Sequence, residues 1–336
     1  MYNHIISVEN LCDAWQEFIR GKKSKKDVAD FSLNLSQNIF QLHEELRTKS
    51  YRHGAYEAFS ISDPKPRSIH KATVRDRLLH HAIYRVLYSH FDRKFIYDSY
   101  SCRHGKGTHK ALDRFRHFVR KVSESNSRTC WVLKCDVRKF FASIDQTVLI
   151  DIVRRHISDP DVIWLLERVV ESFASTGPGK GLPLGNLTSQ LLVNVYMNEF
   201  DQFVKHQLKQ KYYIRYADDF VIMDHDKVAL MEVLPKVQSF LLDRLKLTLH
   251  PDKIVVQTAT SGVDFLGWVH FYHHRVLRTT TKKRMFRNIQ EKEAKAETVQ
   301  SYLGLIGHGN SWKLRQEIED SVCAEFAHTA IDGSAF

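Results

Sequence analysis

Two short β-rich runs, residues 211–216 and 220–223, are separated by Ala217-Asp218-Asp219 alone. So narrow a gap fits a tight antiparallel hairpin, and it puts two carboxylates at the tip. Like charges crowded on a turn repel, so the pair needs a cation. Upstream, residues 130–136 read as a short buried strand that ends on Asp136. If the two strands lie side by side, Asp136, Asp218 and Asp219 converge. Hard oxygen ligands select Mg²⁺ or Mn²⁺, and two such ions about 3.5–4 Å apart can activate an attacking hydroxyl and stabilise a leaving oxygen in phosphoryl transfer. Taken singly, a strand-end Asp is ordinary capping, and an Asp-Asp pair arises by chance in 336 residues.

The charge pattern points to a polyanionic partner. Fifty Lys and Arg against 39 Asp and Glu give a net charge of +11. Residues 65–120 carry 14 basic against 4 acidic side chains and residues 275–295 carry 8 against 2, which leaves the remainder acidic. Two basic blocks around an acidic centre suit a gripped duplex or hybrid, although charge alone equally fits a solvated basic face. The length predicts two or three domains, and 43% hydrophobic residues with 14 Gly and 7 Pro exclude disordered and collagen-like classes. Five scattered cysteines form no C-x-x-C pair, and no apolar run reaches membrane-spanning length. A cytoplasmic chain without a membrane partner is expected.

Apolar spacing predicts two opening helices, through Val8 to Phe18 and Leu35 to Leu46, with a basic break at residues 21–26. An extended stretch at 58–69 follows, then a long basic helix from Val74 and another helix over 108–121. Ser143 and Asp145 are both plausible caps for a helix over 148–156. A Gly-rich loop at 176–183 leads into a helix over 187–208, and a further helix spans 228–245. Residues 281–330 read as a separate polar helical domain.

The motif Tyr216-Ala217-Asp218-Asp219, flanked by Tyr213-Ile214-Arg215 and Phe220-Val221-Ile222-Met223, resembles the catalytic hairpin of reverse transcriptases. Other blocks follow in that family's order. Lys65-Pro66-Arg67 with Arg75-Asp76-Arg77 resembles the first fingers block, and Tyr100 to Gly107 the second. Cys135-Asp136-Val137 through Phe141 to Asp145 resembles the first metal-binding block. Residues 181–190 resemble the block beneath the incoming nucleotide, residues 247–253 the fourth palm block, and Phe265-Leu266-Gly267 the primer grip.

The resemblance implies an α+β right-hand polymerase with fingers, an antiparallel-sheet palm and an α-helical thumb. A helical extension would occupy 1–50, fingers 51–127, palm 128–274 and thumb 275–336. Asp136, Asp218 and the main-chain carbonyl of Val137 would hold two Mg²⁺, or Mn²⁺, with Asp219 as ligand or neighbour. Phe141 matches the sugar gate that excludes a ribose hydroxyl, although its spacing alone suits a core Phe. Arg67, Arg75 and Arg103 are candidates to grip the triphosphate, since guanidinium forks match phosphate oxygens. Leu184, Gly185 and Gln190 would lie under the nucleotide, and Lys253 would protonate the leaving pyrophosphate. The primer grip and the thumb residues Lys282, Lys283, Arg284 and Arg287 would hold template RNA and an RNA or DNA primer.

Leu184-Gly185 opens, and Ser189-Gln190 closes, a block that in group II intron and retroviral enzymes usually begins Gln-Gly and ends Ser-Pro. The Ser-Gln ending, and the thumb-like run from Ser301 to Arg315, resemble the reverse transcriptases of diversity-generating retroelements. That group copies a template RNA into adenine-mutagenised cDNA with a small basic accessory protein. No nuclease or RNase H signature follows, so a minimal polymerase is expected. Alternative readings are a defence-associated reverse transcriptase copying a noncoding RNA, a non-catalytic RNA-binding scaffold and a two-metal nuclease.

Overall fold

A computed structural model describes residues 1–62, 66–292 and 295–321. Lys65 of the first fingers block, Cys323 and the last part of the expected thumb lie outside these residues. The chain divides into two compact units. One comprises Met1–Gly105, Cys135–Phe220 and Met231–Ile254; the other comprises Lys106–Lys134, Val221–Leu230 and the chain from Val255 onward.

The first unit opens with α1 (Tyr2–Ile6), α2 (Val8–Phe18), α3 (Lys26–Leu33) and α4 (Leu35–Arg47), four helices where two were expected. Ser7 starts a new helix by accepting the amide of Asn10, and Asn34, at φ −118° and ψ 35°, breaks the next pair. The expected extended stretch is a hairpin of β1 (Glu57–Ile61) and β2 (Arg67–Lys71), with Phe59 opposite Ile69. Thr73 then caps α5 (Val74–Asp92). Its Leu78, Leu79, Ile83 and Leu87 enter the core, against α2 and a later helix, α10 (Leu187–Gln202).

The second unit begins with α6 (Thr108–Val122), whose Leu112, Phe115 and Val119 are buried beneath a basic outer face. Next in the chain comes β3 (Trp131–Asp136), and then, in the first unit again, α7 (Phe140–Ser143), α8 (Gln146–His156) and α9 (Pro160–Glu171). Of the two predicted caps, Asp145 is the one that accepts an amide, from Val148; the Ser143 hydroxyl donates instead to the Arg138 carbonyl. Helix α9 adds to the expected elements, with Asp159 as its cap and Pro160 in its first turn.

After α10 the helix continues as one π turn over Phe203–Gln207. Then follow β4 (Tyr213–Tyr216), β5 (Asp219–Asp224), α11 (Lys227–Leu245), β6 (Val255–Thr258), β7 (Val263–Phe265), β8 (Trp268–His270) and β9 (Arg275–Leu277). Strands β4, β5, β3 and β6 form one sheet in that order, with β3 antiparallel to β6. Strands β7, β8 and β9 form a separate antiparallel meander. Helices α12 (Thr279–Glu291) and α13 (Ala296–Ile306), with a helical run at 312–321, share a small core of Met285, Ile289, Val299, Ile306, Leu314 and Ile318. No described helix is long and apolar enough to cross a membrane.

Candidate active site

The hairpin connection is shorter than the sequence suggested. Asp219 is the first residue of β5, so only Ala217 and Asp218 form the turn. Ala217 adopts φ +55°, a region that disfavours a residue with a Cβ by roughly 1–2 kcal/mol. A charged donor offsets this: Arg215 Nη1 reaches the Ala217 carbonyl at 3.0 Å, and a hydrogen bond to a charged group contributes about 1.5–3 kcal/mol.

The end of β3 meets this turn directly. The Val137 amide donates to the Asp218 carbonyl at 3.3 Å, and the His250 amide donates to the Asp136 carbonyl at 2.8 Å. Arg138 N–H bonds to the Thr248 carbonyl, so residues 136–138 lie between the turn and the segment 248–250. That segment forms a single bridge, Val137 opposite Leu249, before a short 3₁₀ turn, Pro251–Lys253. The turn brings Lys253 Nζ within 2.9 Å of Asp136 Oδ1.

Electrostatics show that the carboxylates share one field. Burial, then the Asp136 charge and the Asp219 charge, push the Asp218 carboxyl up to about 6, with Lys253 opposing. The buried Cys135 thiol is likewise pushed up to about 12 by burial and by Asp136 and Asp219. Among the described residues no three His, Cys, Asp or Glu side chains close into a metal cage by themselves. The donors nonetheless fit Mg²⁺: all are oxygens, they repel one another, and one already pairs with a cation. Mg²⁺ is commonly held by one or two carboxylates completed by substrate phosphates and water.

Several residues expected at the nucleotide are gathered by backbone bonds. The Leu182 amide donates to the Phe141 carbonyl at 2.9 Å, the Gly181 amide to Ile144 at 2.8 Å, and the His70 amide on β2 to Leu184 at 3.1 Å. Phe141 and Leu184 are half-buried, whereas the neighbouring Phe140 is core. Gly185, at φ +108°, passes so close to β2 that a Cβ would sit 3.0 Å from Ile69 Cγ2. Arg67 lies exposed on β2, and Gln190 is half-buried on α10.

The other two arginines are committed elsewhere. Arg75 donates to Glu45 Oε2 at 2.7 Å and to the Arg52 carbonyl. Arg103, nearly buried, donates to Asp92 Oδ1 and the Ile96 carbonyl, each at 2.7 Å, and to the Ser99 carbonyl at 3.0 Å. Both guanidinium groups tie loops to α4 or α5.

In the second unit the expected primer grip is the β7–β8 turn, where Leu266 and Gly267 take φ +50° and +88°. Phe265 itself is fully buried, stacked on Phe115 at 5.4 Å, so its side chain supports the turn from the core. On α12, Lys282 pairs with Glu317 at 2.7 Å and Arg287 with Glu291 at 3.7 Å, while Lys283 is exposed and Arg284 half-buried.

A sequence description of reverse transcriptases, RNA-dependent DNA polymerases, matches residues 62–270, more than half of the chain. The chain belongs to the reverse transcriptase family. This reverse transcriptase is 25% identical over 274 residues to Protein YkfC of Escherichia coli, covering 70% of each chain. It is 23% identical over 288 residues to the group II intron-encoded protein LtrA of Lactococcus lactis, covering 66% of this chain and 46% of LtrA. Apo telomerase of Candida tropicalis, truncated of its C-terminal domain, shares the fold at TM-score 0.53 and 13% identity, over 68% of this chain and 55% of that one. The chain therefore spans about half the length of LtrA and of the telomerase. The fold is the α+β polymerase fold, with the matched region containing the hairpin and Asp136.

The sequence reading did not identify the buried partners of Arg215. Their signal was present: a charged residue inside the otherwise apolar strand 213–216 requires a buried counter-charge.

Proposed function

We propose that this chain copies an RNA template into DNA by two-metal nucleotidyl transfer, as the reverse transcriptase of a diversity-generating retroelement. The observation that carries the polymerase reading is the contact of the Asp218 turn with the end of β3, beside Lys253 on Asp136. Asp136, Asp218 and the Val137 carbonyl would hold the ions, with Asp219 supporting the cluster. When bound, the ions supply a clamp on the attacking and leaving oxygens.

The chain's own groups do the rest. Phe141, half-buried on α7, offers a ring face to the sugar. The exposed Arg67 fork is the guanidinium free of the commitments that hold Arg75 and Arg103 to α4 and α5, and it would take the triphosphate. Lys253 Nζ, placed at the metal-binding carboxylate, would give a proton to the departing pyrophosphate. Fingers, palm and thumb would be 51–127, 128–274 and 275–336, with a helical extension before them; the thumb and primer-grip turn would hold template and primer.

The subgroup rests on Leu184 and the Ser189-Gln190 ending. Leu184 presents no amide with which to hydrogen-bond around the nascent pair, so discrimination falls to shape and stacking, terms of about 1–3 kcal/mol per small group. A small basic accessory protein would assist. The test is primer extension with deoxynucleotides and Mg²⁺ on an adenine-containing RNA, followed by cDNA sequencing. Extension that is abolished in Asp218→Ala/Asp219→Ala, with errors concentrated opposite adenine and reduced in Leu184→Gln, is expected. Extension undiminished in the double variant would overturn the polymerase reading, and accuracy at adenine would overturn the subgroup.

A further inference from the structure

Behind the Ala217-Asp218 turn lies a sealed polar network that the chemistry above does not use. Arg215 on β4 is fully buried. Its Nε and Nη2 donate to the two carboxylate oxygens of Asp201, each at 2.7 Å. Nη2 also donates to Ser99 Oγ at 3.1 Å, and Nη1 donates to Asn194 Oδ1 at 3.3 Å and to the Ala217 carbonyl at 3.0 Å. Five hydrogen bonds match the five N–H groups of a guanidinium. The Tyr213 hydroxyl adds a bond to Asp201 Oδ1 at 2.7 Å.

These partners come from separate parts of the first unit. Asn194 and Asp201 lie two turns apart on α10, on one helix face. Ser99 belongs to a segment that runs parallel to Arg215, whose amide donates to the Asp98 carbonyl and whose carbonyl accepts from Tyr100. Arg103 in turn holds that segment through the Ser99 carbonyl. Two arginines thus act in series, and the last bond of the series ends on the carbonyl immediately before Asp218.

We infer that Arg215 is a positioning residue for the catalytic turn, holding Ala217 in its left-handed conformation so that Asp218 stands in register with Asp136. The inference rests on the polymerase reading of Asp218. A purely structural ion pair would need only Asp201. The bond to Ala217 links the pair to the turn, and a lysine, with one nitrogen head, cannot serve Asp201, Ser99, Asn194 and Ala217 together.

The experiment compares wild type, Arg215→Lys and the apolar replacement Arg215→Met/Asp201→Leu/Tyr213→Phe. An apolar set of similar volume preserves folding in many buried ion pairs. Melting temperature, template-primer affinity, kcat, KM for deoxynucleotide and the Mg²⁺ concentration at half-maximal rate are measured on each. Both variants are expected to fold and to bind template-primer as wild type does. Their kcat should fall, on the order of 10²-fold in the triple variant, which is the scale of a misplacement of about 1 Å. The Mg²⁺ requirement should rise, and Arg215→Lys should be intermediate. Wild-type kcat and Mg²⁺ requirement in either folded variant would overturn the inference. So would failure of both variants to fold, since Arg215 would then act only through stability. Loss of the polymerase reading is distinguishable, because it would show as a wild type indifferent to Asp218→Ala.

Discussion

Two cation–carboxylate pairs in the same unit stand in opposite circumstances. Arg215 and Asp201 have no exposed side-chain surface and share a bidentate contact inside a saturated network. Lys253 and Asp136 retain 42% and 16% exposure and share one hydrogen bond at 2.9 Å. A buried pair is costly to break because it leaves an unpaired charge in a low dielectric, whereas an open one exchanges with water and ions at little cost. The first pair therefore fixes geometry, and the second leaves Asp136 accessible to a competing cation. Fixed geometry and exchangeable chemistry are adjacent along β3, β4 and the turn.

Breaking the sealed pair should give the largest effect. Asp201→Ala strands the Arg215 charge and is expected to lower stability by about 3–5 kcal/mol in chemical denaturation. Lys253→Met should change stability by no more than about 1 kcal/mol, the ceiling for an exposed pair. Equal losses would erase the contrast.

Catalysis should reverse the ranking for Lys253. Its replacement by Met is expected to lower single-turnover extension by about 10²-fold, the lower range for a lost general acid, with melting temperature unchanged. Full activity in that variant would leave Lys253 as a bystander on Asp136.

Sealing also governs the response to pH. His80, buried beside His53 at 3.3 Å between their Nε2 atoms, has its pKa pushed down to about 3 by burial and then by the His53 charge. It stays neutral in the fold, while the unfolded chain protonates near 6.5. Between these values the unfolded state binds more protons, so this stability is present above pH 6.5 and is lost as pH falls toward 3. A decline of about 2 kcal/mol from pH 7 to pH 5 is expected, and His80→Phe should flatten it. An identical pH profile in the variant would assign the decline to other groups.

The smallest effect is expected from the basic residues of α12. Removing Lys282, Lys283, Arg284 and Arg287 should lower the log–log salt slope of template-primer binding by less than the roughly 4 that four unpaired charges would give, because Lys282 and Arg287 already face Glu317 and Glu291. A fall approaching 4 would show that those internal pairs open on binding, and an unchanged slope would place the nucleic acid elsewhere.

The motifs were legible because local chemistry dictates them. A three-residue gap between β-rich runs must turn, a strand-ending Asp136 must reach an edge, and Asp145 stands where the helix that begins just after it needs a cap. The ordered blocks, read together, carry the resemblance to the reverse transcriptase family. The four-way split of the first 47 residues and helix α9 were less legible, since Ser7, Asn34 and Asp159 act through single hydrogen bonds or dihedral breaks that periodicity does not register.

The residue types alone determined that carboxylates would gather at a hairpin and that a basic chain would hold them. They did not determine which arginine does what. A guanidinium suits a phosphate, a carboxylate or a carbonyl equally well, and only the fold sets which lies within reach. Tertiary structure joined Arg103 to Asp92 and Ser99, Arg75 to Glu45, and Arg215 to Asp201 and Ala217, and left Arg67 exposed. Hydrogen bonds act over about 3 Å, a distance on which positions far apart in sequence are related only by packing.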